Sequence, residues 1–395
     1  MPKPPQLSSH LNNLKPSVFA TLAAQFKLLP ALPIPLHLGD TYRLPTPEAQ
    51  WPAVLQKLPG NPYQYASPLG MEELRAAVVA KLAKRGLTGL TTNHVLPCSG
   101  GTGALSLLAH TWFKAGDEVL ILAPFWPIIR GIVDSVGAVP VEVPFYERLR
   151  AGESIPAILD GYVTERTAAL YVCSPNNPCG TVLSPDETLQ LATWTQQRDL
   201  WVIADEAYHD FVYGGNRHSF LAALPGMAER TATVLTASKS YALAGTRVGY
   251  LIGDPAWLDP ARLMSTHITY QLPIVCQIAA LAALEHGESW LDETRELYRR
   301  AAERVAQRLQ AKFAPAQGGA YVFVDLRGPL QGRRCVDYVS ELLREGVCVA
   351  PGEAFGKDFE GWARVCYTAV PPEQLEVGID RLNRSLERLA AGRPL

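Results

Sequence analysis

The chain has 395 residues, enough for one large core or for two regions sharing an interface. Apolar residues make up 48% and charged residues 19%, the balance of a globular protein, which excludes disorder as the main state. A formal net charge of −2, with no basic block, makes nucleic acid and anionic membrane poor partners.

The cysteines are Cys98, Cys173, Cys179, Cys276, Cys335, Cys348 and Cys366. Their number is odd, they are scattered, and no two form a C-x-x-C pair. That argues against a disulfide framework or a zinc site, so no metal is expected, and it fits a reduced, cytoplasmic setting. Packing in the core is their ordinary role, although a nucleophilic cysteine stays open.

From the N-terminus, the stretch Val18 to Leu38 is apolar but interrupted by Gln25, Lys27, Pro30, Pro33 and Pro35. It lacks the unbroken core of a signal peptide or a membrane span. Ser17 is expected to cap a short helix through Phe26, after which the prolines force an extended strap. Through the middle of the chain, short apolar runs alternate with helical stretches. Beyond Val95-Leu96 the strand candidates are Glu118–Leu122, Ala168–Cys173, Leu200–Ala204, Thr233–Leu235 and Val248–Ile252. Several are apolar throughout, as parallel strands covered on both faces are. Pro185–Arg198 reads as a crossover helix, which gives an α/β pattern with a mostly parallel sheet.

From about Glu285 the texture changes. Leu291 to Phe313 reads as one long charged amphipathic helix. Ala320–Asp325, Cys348–Ala350 and Ala363–Tyr367 then read as strands, and Cys335–Glu345 and Pro372–Ala391 as helices. The expected organisation is a strap at 1–45, a large α/β domain at 46–284 and a smaller α+β domain at 285–395, the strap packing with the last.

Ligands in such sheets sit at the carboxyl ends of the strands. After Val95-Leu96 comes Ser99-Gly100-Gly101-Thr102-Gly103-Ala104-Leu105. Small residues there let backbone N–H groups approach an anion at a helix N-terminus. The pattern is neither the dinucleotide fingerprint nor a P-loop, so a single phosphate is the better ligand; a plain helix cap would use the same residues. In Pro124-Phe125-Trp126-Pro127 an aromatic could lie flat on a planar ring or simply pack. Asn177, within Ser174-Pro175-Asn176-Asn177-Pro178-Cys179-Gly180, offers an amide to an oxyanion, though such residues also favour turns. In Ala204-Asp205-Glu206-Ala207-Tyr208 an aspartate leaves an apolar strand and needs a partner, such as a pyridinium nitrogen or the amides of a helix start.

The run Ser238-Lys239-Ser240-Tyr241-Ala242-Leu243-Ala244-Gly245-Thr246-Arg247-Val248-Gly249-Tyr250 carries the most chemistry. A lysine amine that is held and partly desolvated forms Schiff bases with carbonyls. A pyridoxal 5'-phosphate (PLP) enzyme needs such a lysine, with hydroxyls and cations nearby for the phosphate. Lys239, its hydroxyl neighbours and Arg247 supply both.

In this order, the motifs resemble the class I/II aminotransferase family, fold-type I PLP enzymes like aspartate aminotransferase, over nearly the whole chain. Upstream, Leu38-Gly39-Asp40 and Tyr65-Ala66-Ser67-Pro68-Leu69-Gly70 are similar to the family's N-terminal motifs. Downstream, Gly318-Gly319-Ala320-Tyr321, Pro351-Gly352-Glu353-Ala354-Phe355-Gly356 and Arg364 are similar to its small-domain motifs. The resemblance implies a large domain with a mostly parallel sheet and a smaller α+β domain. It also implies amino transfer between an L-amino acid and a 2-oxo acid, by a ping-pong route through a Lys239 Schiff base. Asp205 would pair with the ring nitrogen, and Tyr208 and Asn177 would bond the ring 3′-oxygen. Trp126 would stack on the ring. Gly100, Gly101, Thr102, Thr236, Ser238 and Arg247 would hold the phosphate. Tyr65 would reach the phosphate of a neighbouring subunit in a homodimer. Arg364 would grip the substrate carboxylate, assisted by Asn177 and the Gly39 backbone.

Some positions depart from the family pattern. Cys179 and Thr236 stand where threonine and serine are common. Aspartate-specific members use a distal cation, either a lysine where this chain has Thr102 or an arginine in the region of His267. Neither is evident, so Tyr42, His267 and Tyr270 are candidates for a pocket taking a polar or aromatic side chain, or for plain packing. Within the same fold, a carbon–sulfur β-lyase, a cyclopropane-forming synthase or an amino acid oxidase would share these motifs. A regulator of this fold would carry an added DNA-binding domain, for which the sequence ahead of the strap leaves no room.

Overall fold

Seven strands, all but the third largely buried, organise the molecule: β1 (Val95–Ser99), β2 (Glu118–Ala123), β3 (Val139–Pro144), β4 (Thr167–Cys173), β5 (Trp201–Asp205), β6 (Thr231–Thr236) and β7 (Val248–Ile252). The computed structural model describes residues 14, 22 and 24–391. The seven strands form one sheet in the order β1-β7-β6-β5-β4-β2-β3. All neighbours run parallel except β7, which is antiparallel to both β6 and β1. Helices cover both faces, so runs such as Glu118–Ala123 need no polar face. The crossover helix Pro185–Gln197 starts at a capping box: Ser184 Oγ accepts from the Glu187 amide while Glu187 accepts from the Ser184 amide.

A second, antiparallel sheet is built from β8 (Lys312–Phe313), β9 (Tyr321–Asp325), β10 (Ala350–Pro351) and β11 (Trp362–Cys366), in the order β10-β11-β9-β8. The long helices Glu288–Arg308 and Pro372–Ala390 pack with it. The described part of the strap joins here: Ile34–Pro35 pairs in parallel with Val347–Cys348. Ser17 lies outside the described residues.

Several elements differ from the sequence expectation. The strand Val139–Pro144 carries two prolines and is not among the strands expected from sequence; it is an edge strand, where proline costs no ladder bond on the open side. The helix expected through Phe313 ends at Arg308, because Lys312 and Phe313 pair with Asp325 and Val324. One strand expected at Cys348–Ala350 is two, pairing with different partners. After Asp205 the chain makes a turn rather than a helix, so Asp205 caps no helix.

Topology places the site. The carboxyl ends of β4, β5 and β6 lie side by side, with Cys173 opposite Asp205 and Asp205 opposite Val234. Because β7 runs the other way, its start meets the same edge: Thr236 pairs with Gly249 and Ser99 with Val248. Arg247, one residue earlier, is thereby delivered beside the ends of the parallel strands.

Candidate active site

A cavity opens at this edge, enclosing about 610 Å³ of space free of protein atoms, counting its mouth. Gly101, Thr102, Trp126, Asn177, Asp205, Tyr208, Thr236, Ser238, Lys239 and Arg247 all line it. Ten of the sequence-predicted residues thus converge from six separate chain segments.

One end is built for an anion. The helix Gly100–Trp112 begins there, its first turn glycine-rich. Gly100 has φ +71°, and a Cβ on it would lie 2.5 Å from Arg247 Nη2. Glycine is required at Gly249 too, where a Cβ would meet the Gly101 nitrogen at 2.6 Å. The missing side chains let the helix start lie directly on β7 with the guanidinium beside it. Arg247 itself is left-handed at φ 56° and donates to the Ala244 carbonyl at 2.9 Å. Thr236 caps the short helix Ala237–Ser240, accepting from the Ser238 amide at 3.1 Å, and the two hydroxyls are 2.8 Å apart. Hydroxyls, a cation and a helix N-terminus together could hold a phosphate.

Asp205 lies at the floor. Tyr171 donates to its Oδ2 at 2.7 Å and the Ala207 amide to Oδ1 at 3.3 Å. Burial pushes its carboxyl above the usual range, and among the described residues no arginine or lysine side chain bonds it. A ring N–H⁺ is the kind of partner this carboxylate lacks.

Lys239 points from the helix Ala237–Ser240 into the same space. Its Nζ donates to the Gly39 carbonyl at 2.5 Å, and burial lowers its pKa below that of an ordinary lysine. Arg364, 3% exposed on β11, reaches toward the cavity from the second sheet. Its Nη1 donates to Asn177 Oδ1 at 2.9 Å and its Nη2 to the His37 carbonyl at 2.6 Å. With its oxygen so engaged, Asn177 has its NH₂ group left to donate.

Tyr65 is not brought in. It is 84% exposed and packs edge-on against Tyr270, whose side chain is also exposed. Tyr42 and His267 are exposed and do not line the cavity. Two residues were missed in sequence. Tyr171 was hidden because a phenol in an apolar run reads as packing, although its polar tip demands a partner. Tyr321 was quoted within a motif without a role. Its hydroxyl lies 2.5 Å from that of Tyr208, and its ring faces the Arg364 guanidinium at 4.4 Å.

The donor set fits PLP: a phosphate cradle, a carboxylate without a cation, a desolvated amine and an aromatic wall. The family model for aminotransferase class I and II matches residues 37–382. The chain belongs to this family. It is an aminotransferase, and the family's enzymes depend on PLP. An aspartate aminotransferase of Pyrococcus abyssi is 34% identical over 82% of this chain and 84% of that protein. An aromatic-amino-acid aminotransferase of Thermococcus litoralis is 33% identical over 82% of this chain and 84% of that protein. A solved single mutant of the Thermus thermophilus aspartate aminotransferase superposes with a TM-score of 0.88 at 29% identity, covering 96% of this chain and all of that one. These relatives favour amino transfer over the lyase, synthase and oxidase reactions. No described helix is long and apolar enough to cross a membrane.

Proposed function

We propose that this aminotransferase binds PLP in the Lys239 cavity and moves an amino group from an L-amino acid with a neutral side chain to a 2-oxo acid. The observation that carries the reading is the pairing, in one cavity, of a desolvated lysine with an aspartate that no cation side chain among the described residues bonds. Bound PLP supplies an electrophilic carbonyl carbon and a ring that withdraws electrons from the substrate α-carbon.

The chain's own residues do the rest. Lys239 Nζ would be the point of attachment, and its lowered pKa would favour a neutral amine able to take up and return a proton. Asp205 would hold the ring nitrogen protonated, while Tyr208 and Asn177 donate to the ring oxygen. Trp126 would cover the ring face. Gly100, Gly101, Thr102, Thr236, Ser238 and Arg247 would hold the phosphate. Arg364 offers a planar fork to the substrate carboxylate, with the Gly39 backbone beside it.

The donor class follows from charge. Beyond Lys239 and Arg247, no cation lines the cavity among the described residues, and Thr102 occupies a wall position. A distal carboxylate would therefore enter unpaired, which is costly. The relatives named for aspartate and for aromatic amino acids leave either class open to the family.

Tyr65 and the 96% exposed Tyr63 stand beside Leu55 and Ile274 around an open surface hollow. We read this face as the meeting surface of a homodimer, with Tyr65 reaching the partner's phosphate. The free, mostly buried cysteines support a reduced cytoplasmic setting.

A spectroscopic half-reaction screen tests the reading. Neutral donors are expected to convert the bound cofactor to its amino form, with initial rates across both substrates giving parallel ping-pong lines. Conversion by aspartate and glutamate alone would overturn the donor class. Release of ammonia or pyruvate without an acceptor would overturn amino transfer.

A further inference from the structure

The buried phenols of Tyr208 and Tyr321 lie 2.5 Å apart. A phenol has one proton and two lone pairs, so only one of their two protons lies between the oxygens. Burial raises the pKa of both, which keeps both protonated at neutral pH. The second proton must point elsewhere. Tyr208 lines the cavity with Lys239, Asn177 and Asp205. The Tyr321 oxygen is closed in by Gly39, where any side chain would collide with it. With Tyr321 as the donor of the pair, the Tyr208 proton is left facing the cavity. The ring of Tyr321 also touches the other half of the site, its face 4.4 Å from the Arg364 guanidinium.

We propose that Tyr321 is a positioning residue that joins the two halves of the site. Its hydroxyl aims the Tyr208 proton at the cofactor oxygen, and its ring face seats the Arg364 fork that takes the substrate carboxylate. The inference rests on the PLP reading of the cavity. A hydrogen bond accepted by Tyr208 polarises its own O–H and makes it a stronger donor to an anionic oxygen. Stacked on this aromatic face, Arg364 directs its edge N–H groups to Asn177 and to the His37 carbonyl.

The test uses the holoenzyme and reads the pH titration of the bound cofactor's absorbance together with kcat and KM. Tyr321→Phe keeps the ring and removes only the hydroxyl. Weaker donation to the cofactor oxygen favours its protonated form, so the titration midpoint is expected to rise by about half a unit to one unit. kcat is expected to fall roughly 3- to 10-fold, with KM within about twofold because the Arg364 seat survives. Tyr321→Leu removes the seat as well and is expected to raise KM by about tenfold. Tyr208→Phe shifts the midpoint further, and Tyr208→Phe with Tyr321→Phe together match Tyr208→Phe alone, because one path is cut. An unmoved midpoint in Tyr321→Phe, or shifts that add in the double variant, would overturn the proposal. Failure of the PLP reading looks different: borohydride reduction of the native holoenzyme would leave Lys239 unlabelled.

Discussion

Two buried lysines of the molecule live under opposite conditions. Lys81, on the helix Glu72–Lys84, and Lys239, on the helix Ala237–Ser240, are both desolvated, and burial lowers the pKa of each. Lys81 is charge-locked: its Nζ donates to Asp210 Oδ2 at 2.5 Å and to the Tyr241 hydroxyl at 2.8 Å. Asp210, with no exposed side-chain surface, also takes the Ser240 hydroxyl at 2.7 Å and lies 3.3 Å from Arg85 Nε. Lys239 instead meets the neutral carbonyl of Gly39. An ammonium facing a carboxylate keeps its proton, whereas one facing a carbonyl gives it up more readily and becomes a nucleophile. Ser240 links the regions, since the ionic cluster grips the residue next to the lysine proposed to react.

Breaking the reactive side should have the largest effect. Lys239→Ala is expected to lower kcat by more than about 10³-fold, and borohydride reduction should no longer fix PLP to the protein. Persistence of the covalent label in this variant would remove Lys239 from the site. The next largest effect comes from giving Lys81 the unpaired condition of Lys239. Asp210→Asn keeps the shape but leaves Lys81 and Arg85 without their buried counter-charge, a loss of about 3–5 kcal/mol. Urea titration measures it. Pairing Asp210→Asn with Lys81→Met should recover part of the loss, because the uncompensated charge leaves with it. A loss under about 1 kcal/mol in the single variant would mean that Asp210 does not organise the cluster.

The two regions were unequally legible in the sequence. Lys239, Asp205 and Asn177 stand out because each is a polar residue closing an apolar run, and apolar runs announce buried strands. The β7 strand Val248–Ile252 was read to its ends for the same reason. Asp210 and Lys81 carry no such signal, since their pairing spans 129 residues and no local period encodes it. The bond between Tyr208 and Tyr321 likewise crosses from the turn after β5 to the second sheet. Edge strand β3 was masked by prolines that only its position at the sheet border permits. Tyr65 owed its place to family resemblance alone, and a single chain leaves it on the surface.

The smallest effect is a difference in pH dependence, because each region holds one buried histidine. His37, whose carbonyl takes Arg364 Nη2, belongs to the reactive side. His209 belongs to the cluster, its Nε2 3.3 Å from Asp210 Oδ2, with Lys81 and His218 also acting on it. Burial pushes both down to about 4 from the ordinary value of 6.5. In the unfolded chain each would protonate near its ordinary value, so across this window the unfolded state binds protons that the folded state refuses. Stability is therefore intact above pH of about 6.5 and falls toward pH of about 4, by on the order of 2–3 kcal/mol per histidine. His37→Gln and His209→Gln should each flatten part of that slope in urea titrations run across the window. The neighbours separate the two. Arg364 opposes a proton on His37, whereas Asp210 attracts one to His209. Asp210→Asn should therefore extend the His209 part of the slope to lower pH and leave the His37 part in place. A slope unchanged by His209→Gln would place His209 in the protonated state within the cluster, and its partnership with Asp210 would then be a full ion pair.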